Sequence, residues 1–373
     1  MQYDPPLMRR YPRLMACMPR ISLGEWPTPV RRARGLEEAR GLPALYIKRD
    51  DLSSSVYGGN KVRKLEFTLA DALRRGYGRI MTMGAAGSNH VVATAMHGRK
   101  LGLATTALLF DQPCAEYVRH NLLIDYRSDV RMVWTGSIPG VLPAFAKEKS
   151  AALLRGERLY WLGPGGSSSS GCLGYVNAGM EIGEQVEEGI LPEPDYVVTA
   201  MGTHGTAAGL WLGLRLAGLR SRLVGVAVVE TAYCNPFLWA RLANKTADLL
   251  NRLDPGIKAP KARPKDLVYI SSELGRGYAH LTSTDALAVR EARELEGVHL
   301  EGTYTGKALA AALDMGKELR ANESILFVNT YNSVDLKPFI KGLDYRLLPE
   351  PFHRFFREPC RALEYELQSP RRV

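Results

Sequence analysis

Short apolar runs along the chain alternate with stretches in which apolar residues recur every three or four positions. The runs at 44–49, 79–83, 105–110, 130–135, 159–162, 196–200, 223–229, 267–270 and 325–329 predict strands. Several are apolar throughout, such as Leu-Val-Gly-Val-Ala-Val-Val at 223–229. Strands buried on both faces have that composition. Between them, Val62, Leu65, Leu69, Ala72 and Leu73 fall at helical spacing, and Gly76 follows as a stop signal. This alternation predicts an α/β fold of parallel, twisted sheets, and nine strands in 373 residues predict two sheets in two domains. Residues 252–265 hold three prolines and read as an exposed loop. No internal repeat is evident, no stretch reaches the ~18 apolar residues of a membrane span, and the N-terminus lacks the apolar segment of a secretory signal.

Charge changes the picture only at the edges. Lys and Arg number 49 against 39 Asp and Glu. The excess sits at 1–34 (net +5), 252–265 (net +4) and 351–373 (net +2), and the remaining chain is close to neutral. That distribution reads as solvated basic edges, or as faces for an acidic partner subunit, and argues against a nucleic-acid footprint. Five cysteines are scattered with no C-x-x-C pair. They point to a reducing, cytoplasmic setting with no disulfide framework or zinc ribbon. No metal-binding motif appears.

Four glycine- or hydroxyl-rich segments stand at strand ends, where open α/β sheets bind ligands. The first, Tyr57-Gly58-Gly59-Asn60-Lys61-Val62-Arg63-Lys64, puts Lys61 at a helix entrance beside Arg63 and Lys64. Positive surroundings lower an amine's pKa, as a Schiff-base lysine requires. A glycine turn before a basic helix start is the plain alternative. In the second, Gly84 to His90, Ser88 either caps the following helix or meets an anion there, and one structure can serve both roles. The third, Gly163 to Gly171, is either a flexible linker or an ordered strand–loop–helix connection. The fourth, Gly202-Thr203-His204-Gly205-Thr206, forms a candidate nest of N–H groups for a phosphate, without the Lys-Ser/Thr of a P-loop.

A reactive lysine, a Ser-Asn turn and a phosphate nest together point at pyridoxal phosphate. From 26 to 335 the sequence resembles the fold-type II (tryptophan synthase β-like) pyridoxal-phosphate enzymes, in the branch of D-cysteine desulfhydrase and 1-aminocyclopropane-1-carboxylate deaminase. The resemblance rests on Trp26-Pro27-Thr28-Pro29, Lys48-Arg49-Asp50-Asp51-Leu52, Gly58 to Glu66, Ser88-Asn89-His90, Gly165-Gly166-Ser167 with Leu173-Gly174-Tyr175, and Tyr304-Thr305-Gly306-Lys307-Ala308. It implies a large cofactor domain of 1–63 and 166–350, a small domain of 64–165 and a basic extension of 351–373. Lys61 would hold the cofactor covalently and move protons on the substrate. Asn89 would bond the cofactor's phenolic oxygen, and Gly202, Thr203, His204, Gly205 and Thr206, with Lys64, would hold its phosphate. Ser88, Asn89 and His90 would take the substrate carboxylate, and Tyr278 and Tyr304 would flank the substrate as acid/base groups. A homodimer is implied as well.

Position 305 separates the activities within the resemblance. The deaminase carries Glu after the matching tyrosine, and this chain carries Thr305. A hydroxyl from Thr305 or Thr330 at the pyridine nitrogen leaves the ring neutral, a poorer electron sink. The implied activity is therefore α,β-elimination from a small amino acid to a keto acid and ammonia, as in a D-cysteine desulfhydrase. Ring opening, β-replacement and a non-catalytic binding role on the same fold are the alternatives. Gly87 stands where the family has Gln, His204 where it has Gly, and Tyr331-Asn332 where it has Gly-Gly, so substrate-side residues depart most from the pattern.

Overall fold

The computed structural model describes residues 3–359. Ten strands are present among them: β1 (Val30–Arg32), β2 (Ala44–Lys48), β3 (Arg79–Ala85), β4 (Ala104–Phe110), β5 (Arg131–Gly136), β6 (Leu159–Leu162), β7 (Tyr196–Met201), β8 (Arg222–Ala227), β9 (Leu267–Ile270) and β10 (Ser324–Val328). All nine runs identified from sequence are strands, with ends shifted by a residue or two. The addition is β1, a three-residue edge strand with two arginines, too short and polar to show an apolar run. It pairs antiparallel with β2, and every other pairing is parallel.

The chain divides into two units. The first comprises Met1–Phe67 and Ser167–Ser333. Its six-stranded sheet runs β1-β2-β10-β7-β8-β9. The central β10 is buried along its whole length, as its all-apolar pattern requires. The helices Ser169–Glu187, Gly205–Leu216 and Pro236–Leu253 bury Tyr175, Leu210, Leu212 and Trp239 in one core with Val197, Leu223 and Leu326. Their starts follow local chemistry: Ser168 accepts from the N–H of Gly171, and Asn235 accepts from Phe237 and Leu238 with Pro236 in the first turn. The tract 163–171 is thus an ordered connection, and its serines open a helix that begins nine residues earlier than the periodicity from Ala178 suggests.

A buried ionic cluster underlies the lysine-bearing helix Asn60–Arg74. Arg63 donates to Asp50 (2.8 and 3.0 Å) and to Glu181 (2.9 and 3.0 Å). Lys48 pairs with Glu181 and Gln185, Tyr175 donates to Asp50 at 2.6 Å, and Thr28 donates to Asp50 at 2.8 Å. The Trp26 ring lies 4.0 Å from the guanidinium. Burial pushes the Glu181 carboxyl upward, but Arg63 and Lys48 outweigh it and hold it at about 2.

The second unit comprises Thr68–Gly166 and Val334–Val373. Its four parallel strands run β5-β4-β3-β6. Helices Asn89–Lys100 and Glu116–Arg127 pack Val91, Ala95, Val118 and Leu122 into a core that also holds Phe352 and Phe355. This corrects the expected division. Residues 334–350 group with the second unit, and the described part of the expected basic extension is built into it: Trp134 meets Phe352 and Phe355 edge-on at 5.4 and 6.1 Å. Two aromatic side chains at helical spacing outweighed the basic composition that suggested a loose tail. The rest of that extension, 360–373, lies outside the described residues. The 252–265 loop is also more ordered than its prolines suggest. Ile257, Ala259 and Ala262 are buried, and Asn244 and Asn251 hold the backbone of Ala262 and Ala259. No helix among the described residues is long and apolar enough to cross a membrane.

Two predictions follow from the buried charges. Arg63→Ala strands Asp50 and Glu181 without their shared cation and is expected to cost about 3–5 kcal/mol in denaturant unfolding; an unchanged midpoint would contradict the role given to Arg63. Asp125, fully buried in the second unit, has both carboxyl oxygens without a partner among the described residues. Burial raises its pKa well above the usual range, so keeping it protonated in the fold costs nothing below the unfolded pKa, and stability is lost as pH rises from there toward the folded pKa. Asp125→Asn is expected to stabilise by about 1–3 kcal/mol at neutral pH and to lose that gain near pH ~4, as thermal melts across pH will read.

Candidate active site

Lys61 stands in the first turn of the helix Asn60–Arg74, half-buried, with its amine donating to Asn60 Oδ1 at 2.9 Å. Burial first, and the charge of Lys64 second, hold that amine well below the ordinary lysine range, with Glu301 opposing. Arg63, expected to add to this effect, is committed to Asp50 and Glu181 on another face of the helix. The turn before Lys61 is clamped from the segment after β10. The N–H of Asn60 donates to the Thr330 carbonyl at 3.1 Å, and the N–H of Gly58 donates to Asn332 Oδ1 at 2.7 Å. Asn332, a departure from the family's Gly-Gly, thus has a definite holding role.

The segment expected to hold a phosphate, Gly202 to Thr206, leads into the helix Gly205–Leu216. Thr203 and Ser167 hydroxyls lie 2.7 Å apart, Asn60 donates to the Thr206 hydroxyl at 3.0 Å, and the Lys64 amine lies 3.5 Å from Ser167 Oγ. Burial lowers the Lys64 ammonium to about 8. Gly205 leaves the open ground of this cradle: a Cβ there would come within 2.4 Å of Ser167 Oγ and 3.0 Å of Lys64 Nζ. His204 fits where a glycine was expected because it adopts a left-handed φ of 63° and its Nε2 accepts from the N–H of Asn235 at 3.3 Å. Burial depresses its pKa to about 4, so the ring remains a neutral acceptor. Ser167 and Asn60 were missed as site residues; the Gly165-Gly166-Ser167 match was their available signal.

Tyr278 and Tyr304 meet hydroxyl to hydroxyl at 2.9 Å, with rings edge-on at 6.1 Å. Tyr304 also borders Gly202, whose hypothetical Cβ would lie 3.8 Å from the ring. Burial, then Tyr304, raises the Tyr278 phenol well above its usual value. Thr305 is buried, and its hydroxyl is occupied locally: it accepts from the N–H of Glu301 at 3.0 Å and lies 3.3 and 3.2 Å from the Glu301 carbonyl and carboxylate. Thr330 sits at the end of β10, where its carbonyl anchors the lysine turn.

In the second unit, Ser88 caps the helix Asn89–Lys100 by accepting from the N–H of Val91 at 3.4 Å. Asn121 donates to both Asn89 Oδ1 and the Gly87 carbonyl at 2.9 Å, and Gln112 accepts from the N–H of Gly87 at 2.8 Å. Gly87 replaces Gln because there is no room for a side chain: a Cβ would lie 2.8 Å from Val118. His90 departs from its expected substrate role. Its ring is 3 % exposed and lies 3.1 Å from the Thr82 hydroxyl of β3, which itself donates to the Leu162 carbonyl.

Within the first unit, hydroxyls, helix-start N–H groups and a buried ammonium surround the space that Gly205 leaves, and a deprotonation-prone lysine stands one helical turn away. That donor set fits a phosphate ester bearing an aldehyde. The comparisons agree. Residues 21–330 match the family model described as pyridoxal-phosphate dependent enzyme. The chain belongs to the pyridoxal-phosphate dependent enzyme family. Pyridoxal phosphate is its cofactor, and it is an enzyme of the lyase and deaminase type. It is 35% identical over 319 residues, 85% of this chain and 93% of the relative, to a putative 1-aminocyclopropane-1-carboxylate deaminase of Pyrococcus horikoshii. It is 36% identical over 322 residues, 84% of this chain and 93% of the relative, to the D-cysteine desulfhydrase of Klebsiella pneumoniae. A crystal structure of an ACC deaminase homologue superposes with a TM-score of 0.74 at 32% identity, covering 91% of this chain and 99% of that one.

Gly205→Ala tests the cradle. The added methyl meets the movable Lys64 amine at 3.0 Å, but it also meets Ser167 Cβ at 2.9 Å, so Ser167 itself must shift and a thermal melt should accompany the titration to check the fold. Cofactor affinity should fall about 10- to 100-fold, as expected for lost bonds to a charged group. Titrating the cofactor-free protein with pyridoxal phosphate by visible absorbance reads the change.

Proposed function

We propose that the enzyme carries out α,β-elimination on a small amino acid, releasing a keto acid and ammonia in the manner of a D-cysteine desulfhydrase. Position 305 carries this reading. It bears Thr in place of the deaminase's Glu, and the Thr305 hydroxyl is engaged with Glu301. Thr330 is then the hydroxyl assigned to the pyridine nitrogen. A hydroxyl partner leaves the ring neutral, which favours expulsion of a good β leaving group over opening of a cyclopropane.

When bound, pyridoxal phosphate supplies the electron sink for the bond broken at the α-carbon. Lys61, whose free-base form is favoured by burial and by Lys64, takes the α-proton. In the Tyr278–Tyr304 pair one phenol donates to the other, and this pair serves as the proton source for the departing group. Lys64, Thr203, Thr206 and the N–H groups of the nest, together with Gly202, His204 and Gly205 as its backbone, bind the phosphate. In this reading Ser88 and the helix start behind it would take the substrate carboxylate, Asn89 would bond the cofactor's phenolic oxygen, and the enzyme would work as a cytoplasmic homodimer.

Lys61→Ala should lower turnover by at least about 10²–10⁴-fold and abolish the visible absorbance of the bound cofactor. The wild-type enzyme, offered D- and L-amino acids together with 1-aminocyclopropane-1-carboxylate, should release sulfide, ammonia and keto acid from a cysteine enantiomer. A higher kcat/KM for the cyclopropane would overturn the elimination reading.

A further inference from the structure

Nothing in the sequence pattern marks Glu301, yet its side chain is only 7 % exposed and unusually well held. Oε1 accepts from the N–H groups of Tyr304 at 2.9 Å and Thr305 at 2.8 Å. Oε2 accepts from Thr303 at 2.7 Å and again from Tyr304 at 3.2 Å, while the Thr305 hydroxyl adds a contact at 3.2 Å. Three successive N–H groups entering the helix Thr305–Gly316 therefore converge on one carboxylate. An exposed Ser or Asp at the N-cap would satisfy such donors without burying a charge; here Tyr304 occupies the N-cap and makes no side-chain cap.

We propose that Glu301 is a positioning residue of the active site: it pins Tyr304 through the turn 303–305 and supplies the negative charge set against Lys61. The proposal rests on Lys61 being the cofactor lysine. The surrounding charges give it direction. Lys61 meets Lys64 from its own helix and Glu301 from the loop after the helix Ser283–Glu296. Tyr278 meets Tyr304, Glu301 and the exposed Glu230, whose carboxylate accepts from the Tyr278 N–H at 3.3 Å. Burial first, and Glu301 second, raise the Tyr331 phenol. One anion thus opposes the depression of the Lys61 amine and adds to the rise that burial first imposes on the Tyr278 and Tyr331 phenols. Burial raises the Glu301 carboxyl, and the N–H bonds of 303–305 pull it back.

Glu301→Gln removes the charge and keeps the shape. In cofactor-free protein, competitive acetylation across pH, read by mass spectrometry on the Lys61 peptide against exposed Lys341, gives the titration midpoint of Lys61. E301Q is expected to lower that midpoint by about half a unit to one unit and to leave Lys341 unmoved. Glu301→Asp keeps the charge but is too short to span the three N–H groups. It is expected to restore the Lys61 midpoint while kcat falls about tenfold or more with little change in KM. An unmoved Lys61 midpoint in folded E301Q, or a wild-type kcat in E301D, overturns the proposal, and E301D decides alone should E301Q fail to fold. Failure of the cofactor reading has a separate signature: wild-type protein that gains no visible absorbance with pyridoxal phosphate.

Discussion

The arrangement depends on a charge that never reaches solvent. Arg63 lies inside the first unit between Asp50 and Glu181, with Lys48, Thr28, Tyr175 and Gln185 completing the cluster. A buried guanidinium demands partners in fixed geometry, because any of its donors left bare carries a large desolvation penalty. Satisfying it locks β2, the helix Ser169–Glu187 and the first turns of the helix Asn60–Arg74 together. Lys61 and Lys64 ride on those turns. The cluster is therefore better understood as the mount for two lysines than as a source of net stability.

The two lysines are tuned by what the mount leaves around them. Lys61 is depressed by burial and by Lys64, and Lys64 is brought to about 8 by burial. Two ammonium groups placed close together in a dry setting are unstable as a pair. The arrangement becomes favourable once one gives up its proton and the other meets an anion, which is the state a phosphate-bearing aldehyde creates. Glu301 sets the lower bound of this tuning.

Three of the departures from the family pattern are accommodated by a neighbour. His204 takes a left-handed backbone and spends its ring on Asn235, Gly87 yields its side chain to Val118, and Asn332 uses its amide to grip Gly58.

The sequence by itself determined nine strands and the parallel α/β class, and it supplied the lysine, the glycine-rich turn and the tyrosines as candidates. Each of these is written locally, as an apolar run, a glycine turn or a short motif, and local signals survive without knowledge of the fold. Tertiary structure alone decided that Arg63 turns away from Lys61, that His90 faces a strand, that the hydroxyl of Thr305 is already engaged, that Phe352 and Phe355 anchor a basic segment, and that the Glu301 carboxylate gathers the N–H groups of 303–305. Those outcomes depend on which distant residues compete for a donor or fill a space, such as Glu181 for Arg63 or Trp134 for Phe352. For Arg63 and Phe352 that competition acts across more than a hundred positions, and for His90, Thr305 and Glu301 it acts between near neighbours whose side-chain directions only the folded backbone sets, so none of it leaves a periodicity to read.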